Sequence, residues 1–333
     1  TGPHLIVGKS TVPVGTAEIL AARARELAPA GDAVRVAWNP EFLREGLAVQ
    51  DTLSPDRIVV GVSRPADAER LRLVYEPVLA GGMPWIVTDL ATAQLVKNAA
   101  NAFLATKISF INAMAELCEA TGADVVALAD AIGHDDRIGR RFLQAGLGFG
   151  GGCLPKDIRG FMARAEELGV DEALAFLREV DDINVRRRRH AVDLAREILG
   201  DGTDHTVTVL GAAFKPDSDD IRDSPALDVA RTLSTEGVRV RVTDPKALPN
   251  ARRAAPGPEY VDDTTTACAG ADLVLLLTEW GEYRELDPTA LAEVVAQRRI
   301  LDCRNALDAG RWQDAGWQVW ALGRPQLSQP LGS

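Results

Sequence analysis

The stretch QLVKNAANAFLATKISFINAMAELCEATG, residues 94–122, constrains the chain most. It holds no proline, has no glycine before its last residue, and is apolar on nearly every side. A helix without a polar face has to be buried, so the rest of the chain must supply material to surround it. Both flanks offer that material in the same form. Residues 1–88 alternate β-rich runs (HLIVGKS, VRVAWNP, DRIVVGV, PWIVTD) with helical stretches at 16–28 and 65–80. After residue 203 the rhythm returns with HTVTVLG, SPALDVARTLSTEG, VRVRVTDP, ADLVLLLTEW and RRILDCRN. Short strands alternating with helices read as βαβ units on a doubly wound sheet. Residues 89–200 carry no strand signal and two long helix candidates, 90–121 and 171–199. The expected fold is therefore α/β, two Rossmann-like domains joined by a long central helix. The divisions are 1–88 (the carboxyl part of a dinucleotide-type domain), 89–200 (a helical domain) and 201–333 (a second α/β domain). Neither α/β block has a G-x-G-x-x-G turn after its first strand, and the first opens in a strand, so it is expected to be incomplete.

Charge and cysteine usage remove several function classes. A net charge of −11 speaks against nucleic acid or an anionic membrane as partner. The longest apolar run, ADLVLLL, is too short to span a bilayer. With no leader pattern, the expected location is the cytoplasm. Cys118, Cys153, Cys268 and Cys303 stand singly, and His4, His134, His190 and His205 are scattered surface candidates, so no metal site is expected. RRRR at 186–189 reads as a solvated face or an intersubunit contact.

The polar residues that break these patterns are the site candidates. In GFGGGCLPKD, Cys153 sits behind a glycine-rich run and before a charged segment. Glycine lets a ligand come close to the backbone, so the thiol is presented rather than packed away. Lys97 and Asn101 are four apart and share one helix face. Either Lys97 snorkels from a helix end, or it meets an anionic or oxygen-rich partner. In WNPEFLREG, Glu41 and Glu45 are expected on the first turns of a helix, where they either complement its dipole or act as base and water positioner. Ser10 and Thr11 follow the first strand and suit a ligand at the sheet's carboxyl edge. Lys215 and Arg222 lie in the turn of LGAAFKPDSDDIRDSP, which is either an ordinary charged surface or a diphosphate site.

KSTVPVG, NPEFLREG, KNAANAFLATKISFINAMAELCEATGADV, FGGGCLPKD, GAAFKPDSDDIRDSP and DCRN occur in the order found in the nucleotide-sugar 6-dehydrogenases. The chain resembles that family end to end, apart from the family's amino-terminal glycine-rich NAD turn. The resemblance implies NAD-dependent four-electron oxidation of C6 of UDP-glucose, giving UDP-glucuronate through a thiohemiacetal and thioester on Cys153. It assigns Lys97 and Asn101 to an oxyanion role and Asp157 to a water or proton beside the thiol. Glu41, with Thr11 and a water, would assist thioester hydrolysis. It further implies sugar contacts at Glu41, Phe42, Leu43, Arg44, Glu45, Phe149, Gly150, Phe214, Lys215 and Arg304. NAD contacts are implied at Ser10, Thr11, Glu45, Cys153, Lys156 and Arg222. Arg137, sixteen residues before the cysteine, would reach the substrate of a second subunit, making the protein at least a dimer. The same residues would serve GDP-mannose, dTDP-glucose or a UDP-N-acetylhexosamine. Since the glycine-rich turn is missing, a further expectation is that the chain alone binds nucleotide sugar without reducing NAD, as a non-catalytic binding chain would.

Overall fold

The computed structural model describes residues 3–202 and 204–325. Four strands and three helices alternate first: β1 (His4–Gly8), α1 (Thr16–Leu27), β2 (Val34–Trp38), α2 (Ala48–Leu53), β3 (Ile58–Gly61), α3 (Pro65–Leu79) and β4 (Trp85–Thr88). Four helices follow without a strand: α4 (Leu90–Thr121), α5 (Val125–Gly133), α6 (Leu154–Glu167) and α7 (Phe176–Leu199). The 32-residue α4 runs unbroken because it contains no proline or glycine, and Gly122 at φ +75° ends it in the left-handed conformation that favours glycine. Asp124 then caps α5, accepting from the Val126 N–H at 2.7 Å.

The chain divides into two compact units, one running to Phe103 and adding Asp157–Ala175, the other made of Leu104–Lys156 and Phe176 onward. In the first, the sheet order is β1-β2-β3-β4. β1 and β2 are parallel, as are β3 and β4, while β2 meets β3 antiparallel at the single pair Trp38–Gly61. Gly61 is required there, since a Cβ would stand 2.7 Å from the Asp89 carbonyl oxygen at the start of α4.

The second unit adds β5 (Thr206–Leu210), α8 (Pro225–Thr235), β6 (Arg239–Thr243), β7 (Glu259–Tyr260), β8 (Leu273–Leu276), β9 (Arg299–Asp302) and β10 (Gln318–Ala321), with short helices between them. Ser224 caps α8 and Pro225 opens it, the pairing that pre-organises a first turn. The six strands are all parallel in the order β10-β9-β8-β5-β6-β7. β5 and β8 are buried along their whole length and centre the main hydrophobic core. β8 is an uninterrupted apolar run, as a two-sided parallel strand needs, while in β5 the buried Thr208 hydroxyl is satisfied by donating to the Ala267 carbonyl at 2.6 Å. The chain winds outward in opposite directions from this pair, so their carboxyl ends form a topological switch point, where open α/β sheets bind ligands. β7 and β10 are short edge strands that the periodicity of the sequence does not reveal.

Two expectations change. No helix begins at Glu41: residues 39–47 are irregular, and α2 starts only at Ala48. Glu41 instead accepts the Leu43 N–H at 2.6 Å, and Asp51 reaches back from α2 to the Arg44 N–H at 2.7 Å and its guanidinium at 2.6 Å. The RRRR run is not one solvated face. Arg187 and Arg188 are buried, Arg187 against Glu119 at 3.1 Å and Arg188 against Asp223 at 2.9 Å.

Candidate active site

Five sequence candidates come together in the first unit. Lys97 and Asn101 lie on the same face inside α4 and are each 7% exposed, so Lys97 does not snorkel into solvent. Its ammonium meets Glu41 Oε1 at 3.7 Å and stands over the Phe42 ring. Asn101 Nδ2 donates to Asp157 Oδ2 at 2.6 Å, and Asp157, in the first turn of α6, is itself buried. A buried ammonium and a buried carboxylate each cost free energy unless met by charge or hydrogen bonds, and here each is met. Asn98, on the neighbouring face, donates to the Val12 carbonyl at 2.9 Å and so fixes the segment that carries Thr11. Leu43, Arg44 and Glu45 follow on the same irregular segment as Glu41.

Ser10 and Thr11 stand just past the carboxyl end of β1, the edge at which open α/β sheets bind ligands. Lys9, beside them, donates to Asn39 Oδ1 at 2.7 Å and to the Tyr75 hydroxyl at 2.9 Å.

In the second unit Cys153 immediately precedes α6 and is the one exposed cysteine of the four. Burial pushes the other thiols up, Cys268 to about 12 and Cys118 and Cys303 in the same direction, which leaves them unreactive packing groups. The glycines before Cys153 answer demands of the protein itself. A Cβ at Gly151, which has φ +84°, would stand 2.7 Å from the Phe214 ring. At Gly150 it would overlap the Asp223 carbonyl oxygen, and at Gly152 the Arg222 guanidinium. Arg222 is clamped by Asp220 through bonds of 2.9, 3.0 and 2.7 Å. Burial pushes the Asp220 carboxyl up, but Arg222 and the Gly152 N–H outweigh it and hold it below the usual carboxylate range. Phe149 is buried, Lys156 lies in the first turn of α6, and Lys215 stands over the Phe214 ring. Arg137 is exposed and paired with Asp135 at 2.6 Å.

Past the carboxyl ends of β8 and β9 lies a pocket of about 440 Å³ lined by Gln144, Gly148, Glu279, Arg284, Arg304 and Asn305 among others. Arg304 donates to the Leu277 carbonyl at 2.7 Å and the Gly148 carbonyl at 2.9 Å, leaving Nη2 buried with no hydrogen-bond partner among the described residues. Such a donor calls for an acceptor, from water or from a bound group. Asp302, which ends β9, receives the Arg304, Ala306 and Leu307 N–H groups and so sets the turn. Glu279 and Arg284 escaped the sequence reading. Glu279 could have been found, because it stands two residues after the apolar run Leu273–Leu277, past the carboxyl end of β8. Asp244, ending β6, takes the Ala212 and Ala213 N–H groups at 2.7 and 3.0 Å. The turn after β5 is thus closed by a carboxylate of the chain, leaving those N–H groups unavailable to a dinucleotide phosphate.

Comparison with known proteins agrees with this layout. Residues 1–79 match the NAD binding domain, 91–186 the central domain and 208–309 the UDP binding domain of the UDP-glucose/GDP-mannose dehydrogenase family. The chain is 40% identical to the UDP-glucose 6-dehydrogenase TuaD of Bacillus subtilis over 327 residues, covering 98% of this chain and 70% of that protein. It is also 40% identical to a UDP-glucose 6-dehydrogenase of Rhizobium meliloti, over 97% of this chain and 74% of the other. A solved UDP-glucose dehydrogenase from Pyrobaculum islandicum superposes with a TM-score of 0.86 at 39% identity, over 96% of this chain and 71% of that one. With a relative of this identity matched over most of both lengths, the chain belongs to the UDP-glucose/GDP-mannose dehydrogenase family.

Proposed function

We propose that this protein oxidises UDP-glucose to UDP-glucuronate with NAD as acceptor, using Cys153 as the nucleophile. The observation that carries the proposal is the exposed Cys153 thiol at the start of α6, in a chain 40% identical to UDP-glucose 6-dehydrogenases. The C6 hydroxyl first loses a proton and a hydride and becomes an aldehyde. The Cys153 thiolate adds to that carbon to form a thiohemiacetal, which loses the second hydride to give a thioester. Water cleaves the thioester, releasing the carboxylate and restoring the thiol. NAD, when bound, supplies the hydride acceptor for both oxidations. Ser10, Thr11, Glu45, Lys156, Arg222 and the Cys153 segment would hold it.

The protein's own groups manage charge. Lys97 and Asn101 stabilise the negative oxygen on C6 as it develops. Asp157 orients the Asn101 amide and handles a proton, and Glu41, paired to Lys97, activates the hydrolytic water with Thr11 nearby. Phe42, Leu43, Arg44, Phe149, Gly150, Phe214, Lys215 and Arg304 would bind the nucleotide sugar. In this reading residues 1–88 serve NAD, 89–200 assembly and 201–333 the UDP moiety.

The assembly is at least a homodimer. Phe103, Phe110 and Leu117 recur every seven residues on α4 and are 66%, 49% and 57% exposed, a stripe suited to a second copy of the helix. Arg137 would act on the partner's substrate. Four free cysteines suit a reducing compartment, the cytoplasm.

The test is stoichiometric. UDP-glucose, offered beside GDP-mannose, should yield two NADH for each uronate formed. Cys153→Ala should form no uronate while still binding UDP-glucose in a calorimeter. One NADH per sugar with aldehyde as product, or substantial uronate formation by Cys153→Ala, would defeat the proposal.

A further inference from the structure

The run Gly148–Cys153 has almost no side chains with which to pack, so its position must be set through its backbone. The Phe149 peptide groups are gripped by one side chain. Asn184, on α7 and 0% exposed, accepts the Phe149 N–H at 2.7 Å through Oδ1 and donates to the Phe149 carbonyl at 3.0 Å through Nδ2. Arg188, one turn further along α7, adds a bond to the same carbonyl at 3.1 Å. Gly148, at φ +95°, comes so close to Asn184 Oδ1 that any Cβ there would overlap it. Three residues on, the Gly151 N–H donates to the Arg222 carbonyl at 2.8 Å.

We infer that Asn184 is a positioning residue for the reaction: its amide fixes the Phe149 backbone and thereby the place of the Cys153 thiol. The inference rests on the proposed role of Cys153. An amide can satisfy both the N–H and the C=O of a peptide only because it carries a donor and an acceptor side by side. No other natural side chain of that length does so, and an aspartate would set an oxygen against the Phe149 carbonyl. Burial alone demands only that the Phe149 N–H and C=O each find a partner, not that one side chain hold both to a fixed place. A catalytic role for Cys153 does, since a displacement of about 1 Å can cost on the order of 10²-fold in rate.

Asn184→Asp, which keeps the shape and the Oδ1 acceptor, tests this beside Ser109→Ala. Ser109→Ala loses another buried bond to α7, the one from Ser109 Oγ to the Val180 carbonyl at 2.7 Å. Both variants should lower Tm. Only Asn184→Asp should alter the rate at which iodoacetamide alkylates Cys153 in the free protein, raising it severalfold, and only it should lower kcat, on the order of 10²-fold, with UDP affinity kept. An alkylation rate at Cys153 equal to that of Ser109→Ala, or a kcat lowered no further than in that control, would overturn the inference. If the wild type forms no uronate, the proposed function falls instead, and the alkylation rate alone decides for or against Asn184.

Discussion

Lys97 and Asn101 hold their place by being answered. Glu41 meets the buried ammonium and Asp157 accepts a hydrogen bond from the Asn101 amide, so the pair sits pre-organised when charge appears on the substrate oxygen. That makes them transition-state groups in the proposed reaction. Lys97→Ala and Asn101→Ala are expected to lower kcat by about 10²–10³ with smaller changes in KM. A raised KM with kcat intact would mark them as binding residues only. The cysteines separate as cleanly. Native protein treated with iodoacetamide should be labelled at Cys153, with Cys118, Cys268 and Cys303 reacting only after unfolding. Replacing any of those three by alanine should cost only on the order of 1 kcal/mol.

An ionic node ties α4 to α7, beside the Ser109–Val180 bond and an Arg186–Glu116 pair at 3.1 Å. Glu119, near the carboxyl end of α4, meets the fully buried Arg187 at 3.1 Å and His190 at 2.9 Å, both on α7. It also accepts the Gly323 N–H at 2.6 Å. Burial pushes the Glu119 carboxyl up, but the hydrogen bond to His190 and the Arg187 charge outweigh it and bring it down to about 2. A depressed carboxylate contributes stability that is present above its unfolded value, near 4.5, and is lost as pH falls toward about 2. Glu119→Gln leaves Arg187 buried without a counter-charge, a loss of about 3 kcal/mol or more. In urea melts the variant should therefore be much weaker than wild type near neutrality, and the gap should narrow between pH 4.5 and 2. A gap that stays constant across that range would remove Glu119 from the node.

At the scale of the whole molecule, the exposed Phe103, Phe110 and Leu117 stripe and the exposed Arg137 make one joint prediction. If two copies pair through α4 and Arg137 serves the partner's site, Arg137→Ala and Cys153→Ala should each be inactive alone and regain activity when mixed and allowed to exchange subunits. One site of such a mixed dimer has an intact cysteine facing an intact partner arginine. Phe110→Lys should abolish that rescue and give a monomer in sedimentation, because a charge in the stripe opposes its burial against a second helix. Inactivity of the mixture, with exchange confirmed by mass, would return Arg137 to its own subunit.

Much of the architecture was legible in the chain because its signals are local. Period and caps placed α1, α3, α4 and eight of the ten strands among the described residues, and the ordered motifs pointed to the family. Cys153, Lys97 and Asn101 stood out because each breaks the pattern around it. The rest depended on residues far apart in sequence. Whether RRRR faces water was decided by Glu119, 68 residues before Arg187, and by Asp223, 35 residues after Arg188. Asn184 looks like any helix polar group until folding sets it against a backbone that has no side chains of its own. The antiparallel meeting of β2 and β3, and the helix that fails to start at Glu41, likewise follow from pairings that no local propensity encodes. Sequence period and caps fix which segments become helix or strand, because those forces act within a turn or a pleat. Which charges are buried, and against what, is settled only when the chain closes, because desolvation is offset by partners that tertiary structure alone supplies.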